Sequence, residues 1–218
     1  MESRELNQSL PKDDYGEPFE AGTYRAKKRK IQVLKNGSAF SIAGDAGLVD
    51  ELLKKAVGID DSKPYDGMVR EYSHLFQNEY LDAYDNDPNR PHCAFLFCGY
   101  IGATGHKAPQ IYQLSSFRSF SLKPRDVYAF TGREFHGAAL YLHHRLYRKE
   151  GMSMDSAKCL AYCALSEVAD MDNMVGRPIE MVIITESGVE PLTDFARYEQ
   201  KRKEVTAKLF DLLHPNQP

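Results

Sequence analysis

Lys27, Lys28, Arg29 and Lys30 form a run of four cations that leads directly into the apolar positions Ile31 and Val33. Such a run has three readings, one of them nucleic-acid contact, for which four cations in a net negative chain make a weak electrostatic footprint. Exposed, it marks the solvated entrance to a strand. Buried in a low-dielectric site, the Lys30 amine needs a nearby carboxylate to keep its charge. Three histidines offer a second chemistry. His136 and His143 are seven residues apart, nearly the same face of a helix, and His144 follows, but no local cysteine, histidine or carboxylate completes a closed zinc shell. They read as surface or interface histidines. Cys159 and Cys163, four apart, read as small fillers of a helix face, and Cys93 and Cys98 belong to an apolar run. The Gly99 to Gly105 loop lacks the Lys-Ser or Lys-Thr ending of a phosphate loop, and no nucleophile elbow, His-Glu-x-x-His helix or calcium loop occurs. No cofactor and no metal is expected.

These groups must be carried by a globular framework. The chain has 218 residues, 42% hydrophobic and 27% charged, which fits one sizeable domain and excludes collagen, coiled-coil rods and wholly disordered chains. With 28 Lys+Arg against 31 Asp+Glu the net charge is -3, so global attraction to nucleic acid or anionic membranes is absent and nucleic acid is argued against. Four cysteines are few for a disulfide scaffold. No apolar run reaches the roughly 20 residues of a membrane helix, and the first residues are too polar and acidic for a secretory signal, so a cytoplasmic protein is expected.

Residues 1–24, with Pro11, Asp13, Asp14, Gly16, Pro18 and Gly22, read as a polar arm, and 25–218 as a single domain. Residues 30–34 and 38–43 flank Lys35-Asn36-Gly37, a hairpin signal. Leu48, Val49, Leu52, Leu53, Ala56 and Val57 follow a helical period to about Val57, and a second helix is predicted over 67–84 with Met68, Tyr72, Leu75, Phe76, Tyr80 and Leu81 inward. Residues 93–100 read as a central strand covered on both faces. Short strands are predicted at 110–114, 119–122 and 127–130 with Pro124 in a turn, then helices at 135–148 and about 157–168, strands either side of Glu186-Ser187-Gly188, and a final helix near 196–213. The helix carrying Cys159 to Val168 is expected to supply much of the core.

In joint order, Lys30-Ile31, the Ala43-Gly44 turn opening a helix, the strand ending at Gly99, the Tyr128-to-Gly132 strand end, the Asp172-to-Gly176 turn and the Ile179-to-Gly188 hairpin resemble the N-terminal-nucleophile hydrolases. Among these the chain looks most like proteasome β-type subunits and the related bacterial peptidase subunit, over about Lys30 to Leu192. The resemblance implies an α+β fold, a four-layer αββα sandwich with two antiparallel sheets. It also implies site residues: Lys30 as the catalytic lysine, Gly44 as the oxyanion amide fourteen residues on, Asp172 and Asp14 as the two aspartates, and Thr131 in place of a supporting serine. The family nucleophile, an N-terminal threonine, falls before Met1 on this spacing, and Val175 stands where the family turn keeps a serine. The expectation is therefore a structural or assembly subunit that associates as a homo-oligomer or ring, with helix faces around Tyr141 to Tyr147 in subunit contact and a peptide or protein as a further partner. Two alternatives stand beside it: an active amide hydrolase whose nucleophile is missing from or displaced in this chain, and a small-molecule or nucleic-acid binding module with an open groove of basic or aromatic lining.

Overall fold

Asn36 and Gly37 set how the first two strands meet. Strand β1 (Ile31–Val33) and strand β2 (Ala39–Gly44) pair antiparallel with Val33 opposite Ala39. Leu34 N–H donates to Ser38 O at 2.9 Å, so the loop is the three residues Lys35, Asn36 and Gly37, and Gly37 takes φ +78°. That is the left-handed residue of a three-residue hairpin loop. The Asn36 amide also anchors the loop, donating to Lys63 O at 2.9 Å and accepting from Ser38 N–H at 3.0 Å. In this computed structural model the structure describes residues 30–85, 87–102, 106–125, 128–129, 141, 143–148, 150–171 and 178–213.

The turn after β2 starts helix α1 (Ala46–Lys55), capped by Asp45, whose carboxylate accepts from Leu48 N–H at 2.8 Å. Leu48, Val49 and Leu52 are buried, while Lys54 and Lys55 complement the negative helix end. Asp45→Ala is expected to cost about 1 kcal/mol by leaving a first-turn amide without its acceptor. Urea titration checks this, and Asp45→Asn should restore most of the loss. The helix tightens into a 3-10 turn over Ala56–Gly58, and the change from 3.6 to 3 residues per turn carries Val57 off the inward face, so that it is 83% exposed. Helix α2 (Tyr65–Tyr84) begins directly after Pro64, two residues earlier than its apolar period suggests. It buries Met68, Tyr72, Phe76 and Tyr80, as the spacing predicts, and Val69 with them, while Leu75 and Leu81 are half-buried.

Strands β3 (Cys93–Ile101), β4 (Ala108–Ser115) and β5 (Lys123–Arg125) complete a five-stranded antiparallel sheet in the order β1-β2-β3-β4-β5. Along β3 the two faces differ. Cys93, Phe95, Phe97 and Gly99 are buried, whereas Ala94, Leu96, Cys98 and Tyr100 are half-buried on the other face, where β3 meets the second sheet. Between the first sheet and the two helices lies an aromatic core. Phe76 sits 4.7 Å from Phe95, Phe40 4.9 Å from Phe97 and Tyr72 5.1 Å from Phe97, centroid to centroid.

Residues 119–122 do not form the strand that their alternation suggests. After β4 the chain makes one 3-10 turn, Ser116–Arg118, and then places Ser119 and Phe120 at φ +47° and +54°. This reversal inserts Phe120, fully buried, edge-on against Phe76 and Tyr80. Burial of a large ring outweighs a backbone conformation that costs of order 1–3 kcal/mol per residue. The strand starts later, with Pro124 inside it rather than in a turn. Among the described strands β5 is an edge, where a residue without an N–H is tolerated.

The second sheet, among the described residues, is the antiparallel hairpin of β6 (Met181–Thr185) and β7 (Gly188–Leu192), joined through Glu186 and Ser187 as the sequence implies. Helices α3 (Met154–Met171) and α4 (Ala196–Leu213) pack on one another. The Arg202 guanidinium bridges Glu167 (3.1 Å), Asp170 (2.9 Å) and Glu199 (3.1 Å), and the Tyr162 hydroxyl donates to Glu199 at 3.1 Å. Among the described residues helix α3 supplies less of the core than expected: the main apolar cluster runs from Leu34 to Phe120, and on α3 Tyr162 and Ala164 are buried while Leu165 is exposed. Two antiparallel sheets flanked by helices give the α+β sandwich that the resemblance implied. The predicted 127–130 strand and 135–148 helix fall mostly outside the described residues; within them, 143–146 is helical. No helix among the described residues is long and apolar enough to cross a membrane.

Candidate functional site

Lys30 stands at the entrance to β1, exposed, with its backbone held on both sides. Its carbonyl accepts from Ile42 N–H at 3.1 Å, and its N–H donates to the Glu180 carboxylate at 3.0 Å. Glu180 immediately precedes β6, so this bond ties the edge of the first sheet to the second. Lys30 lies opposite Ile42, and Gly44 is two residues further along β2. The two are thus diagonal neighbours, about 7–8 Å apart by sheet geometry. Of the five site residues that the sequence suggested, the structure brings these two to one end of the sheet. Asp14, Thr131 and Asp172, with Val175, lie outside the described residues.

Gly44 has a backbone role that only glycine can fill. Its φ is +109°, and a Cβ there would lie 2.3 Å from His92 O and 2.6 Å from the Cys93 Cα. Its amide is directed by the ladder. Asp45 N–H donates to His92 O at 2.8 Å, while Cys93, paired with Gly44, sends its N–H the other way, to Ser116 Oγ at 3.1 Å. Gly44 and Cys93 are therefore a non-hydrogen-bonded pair, and the Gly44 N–H points away from β3 toward the β1 side, where Lys30 stands. An amide that the β2–β3 ladder leaves unused is the kind of donor that can stabilise a developing oxyanion.

The sequence reading missed the partners behind Gly44. His92 Nδ1 lies 3.2 Å from Ser116 Oγ, and the imidazole stacks on Phe117 with centroids 4.0 Å apart. A serine–histidine contact invites a nucleophile reading, but Ser116 is fully buried and its oxygen already accepts the Cys93 amide. The pair clasps the β3 start to the turn after β4. The thiol beside it is not poised to attack, because burial, with Asp45 adding to it, pushes Cys93 up to about 12; further along β3, burial pushes Cys98 up to about 11. His92 and Ser116 are 24 residues apart, and only the β3–β4 register joins them.

His143 is packed as an aromatic ring. It stacks on Tyr147 (4.6 Å) and lies 3.7 Å from Tyr128, and burial, then His144, holds its pKa below the ordinary histidine range. His136 lies outside the described residues. Cys159 and Cys163 are half-buried on α3. Among the described residues, no group of three or more histidines, cysteines or acids is arranged to hold a metal.

No family model matches the chain, and no curated protein matches it in sequence. Solved structures do match in three dimensions. Anbu, described as an ancestral beta-subunit, from Yersinia bercovieri superposes with a TM-score of 0.65 at 11% identity, covering 88% of this chain and 86% of that one. The helical assembly of the Anbu complex from Pseudomonas aeruginosa gives 0.64 at 14% identity, covering 88% and 86%. A Gly-1 mutant of Anbu from Hyphomicrobium sp. strain MC1 gives 0.61 at 14%, covering 87% and 85%. The chain therefore has the N-terminal-nucleophile-hydrolase-like sandwich fold that these Anbu structures share.

Proposed function

We propose that the protein is a proteasome-like structural or assembly subunit, one protomer of a larger homo-oligomer. The observation that carries this reading is the likeness, over 88% of the chain, to an Anbu protein solved as a helical assembly. Apolar side chains on the helical layer support it. Tyr141, Leu146 and Met154 are each more than half exposed, and Leu165 and Val205 join them. Such side chains are available to be covered by a second copy of the chain. Behind Gly44, Ser116 is buried and the buried Cys93 thiol stays protonated, so neither supplies a nucleophile there.

Native mass spectrometry tests this. The expected result is an oligomer whose mass is a multiple of 24.7 kDa, falling to a 24.7 kDa chain on denaturation. Leu146→Asp should shift that equilibrium to smaller species. A monomer at micromolar concentration, unchanged by the substitution, would remove the assembly reading.

A second reading, an amide hydrolase of the same fold, rests on the Gly44 amide, which β3 leaves unused and which points to the side of Lys30. A peptide electrophile that reacts with N-terminal nucleophiles distinguishes the two. One probe added per chain, lost in Lys30→Ala, favours the hydrolase, whereas an unlabelled chain at millimolar probe sinks it.

A further inference from the structure

Beyond assembly, the far edge of the first sheet carries a basic depression for which neither reading has a use. The chain reversal at Ser116 to Phe120 returns β5 alongside β4, with Lys123 opposite Gln113 and Arg125 opposite Ile111. Cross-strand partners share a face, so Gln113, Ser115, Lys123 and Arg125 lie together on the face away from buried Tyr112 and Leu114. Arg118 and Phe117, from the turn, close one end. These six residues line a depression of about 190 Å³.

Three cations converge there, and among the described residues no acid lines the depression. None of Arg118, Lys123 and Arg125 forms an ion pair with a described carboxylate, whereas Lys35, Lys63, Arg70, Arg197 and Arg202 all do. In a chain of net charge -3 this is a local concentration of positive potential. Arg125 is already aimed: its Nε donates to Gln113 Oε1 at 3.0 Å, and Nη2 donates to the same oxygen. The Lys123 ammonium feels the cluster, since its pKa is held below the ordinary lysine range by desolvation and then by Arg118 and Arg125. Phe117 is 72% exposed, with one ring face against His92.

We propose that this depression binds a nucleotide, its phosphates seated among Arg118, Lys123 and Arg125 and its base resting on the Phe117 ring at the rim. Guanidinium groups suit phosphate because their planar N–H fork can donate two parallel bonds to its oxygens. The space is suited to a phosphate or diphosphate rather than a whole nucleotide, which leaves the base outside, where the exposed aromatic ring stands. Stacking on that ring is tolerant of base identity.

Isothermal titration of the full chain at about 0.15 M salt, with metal chelated, tests the assignment using ADP, AMP and inorganic pyrophosphate as probes. ADP is expected to bind with a Kd on the order of 100 µM. Lys123→Ala with Arg125→Ala should weaken ADP and pyrophosphate at least tenfold, and Phe117→Ala should weaken ADP several-fold while leaving pyrophosphate unchanged. Arg118→Glu, on the exposed turn, provides a charge reversal that does not disturb β5 and should weaken all three probes. No heat from any probe at millimolar concentration, or equal binding by the wild type and Arg118→Glu, overturns the site. Pyrophosphate binding with ADP indifferent to Phe117→Ala overturns the nucleotide and leaves free phosphate or diphosphate as the ligand. An oligonucleotide that binds without displacement by pyrophosphate would also overturn it.

Discussion

Phe76→Ala is expected to remove about 3–5 kcal/mol of folding stability, the range for deleting a buried aromatic ring. Phe76 is fully buried on α2 and meets Tyr72 at 5.5 Å, Phe95 at 4.7 Å and Phe120 at 5.6 Å. Its neighbours come from the helix itself, a central strand and the left-handed turn after β4. Those three backbones are held by different hydrogen-bond ladders, so they cannot all close on the vacated space, and the cavity term adds to the lost transfer energy. For a chain of this length the thermal midpoint should fall by roughly 10 °C or more. Urea unfolding of the variant and of Phe117→Ala makes the comparison. Phe117 is exposed, and its truncation should stay within about 0.5 kcal/mol of the wild type. A loss below about 1 kcal/mol at Phe76 would show that the aromatic core does not join these elements.

At Gly44 the strain is in the backbone. An alanine would have to hold φ +109°, where an L residue is strained, with its Cβ inside the contact distance of two backbone atoms, His92 O at 2.3 Å and Cys93 Cα at 2.6 Å. No side chain can move aside to relieve this. Gly44→Ala should therefore cost roughly 3 kcal/mol and open the β2–β3 end. Gly58 provides the contrast, because a Cβ there meets nothing within 4 Å. Gly58→Ala should be neutral or stabilising by up to about 1 kcal/mol, since it restricts the unfolded chain without a native clash. Denaturant titration checks the pair, and hydrogen exchange at Asp45, whose amide bonds to His92, should rise in Gly44→Ala. Equal stability of the two variants would refute the close approach of β2 to the start of β3. The same substitution would damage an oxyanion donor, but its stability cost arises whether or not the chain has any activity.

Elements with a strong local signal were legible in the amino-acid sequence. Asn36-Gly37 specified a hairpin because a left-handed residue is needed there. The three- and four-residue spacing of Leu48, Val49 and Leu52, and of Met68, Tyr72, Phe76 and Tyr80, specified two helices with defined inward faces. The two failures have a common origin. Residues 119–122 alternate like a strand, yet the turn forms because Phe120 finds Phe76 and Tyr80, partners more than thirty-five positions away in sequence. Helix α3 is apolar enough for a core, yet the main cluster lies between the first sheet and α1 and α2, where the aromatic rings are concentrated.

The candidate site divides in the same way. Residue types and their local order were legible without the fold: a lysine before a strand, a glycine before a helix, and a hairpin signalled by Asn36-Gly37. Three-dimensional packing alone makes the Gly44 amide point away from β3, brings His92 to Ser116, and places Arg118, Lys123 and Arg125 in one depression. Local propensity and capping act within a few residues, so composition and spacing can express them. Strand register and the approach of a turn to a helix depend on burying apolar rings across long separations in the chain, and that burial is decided by the whole fold at once.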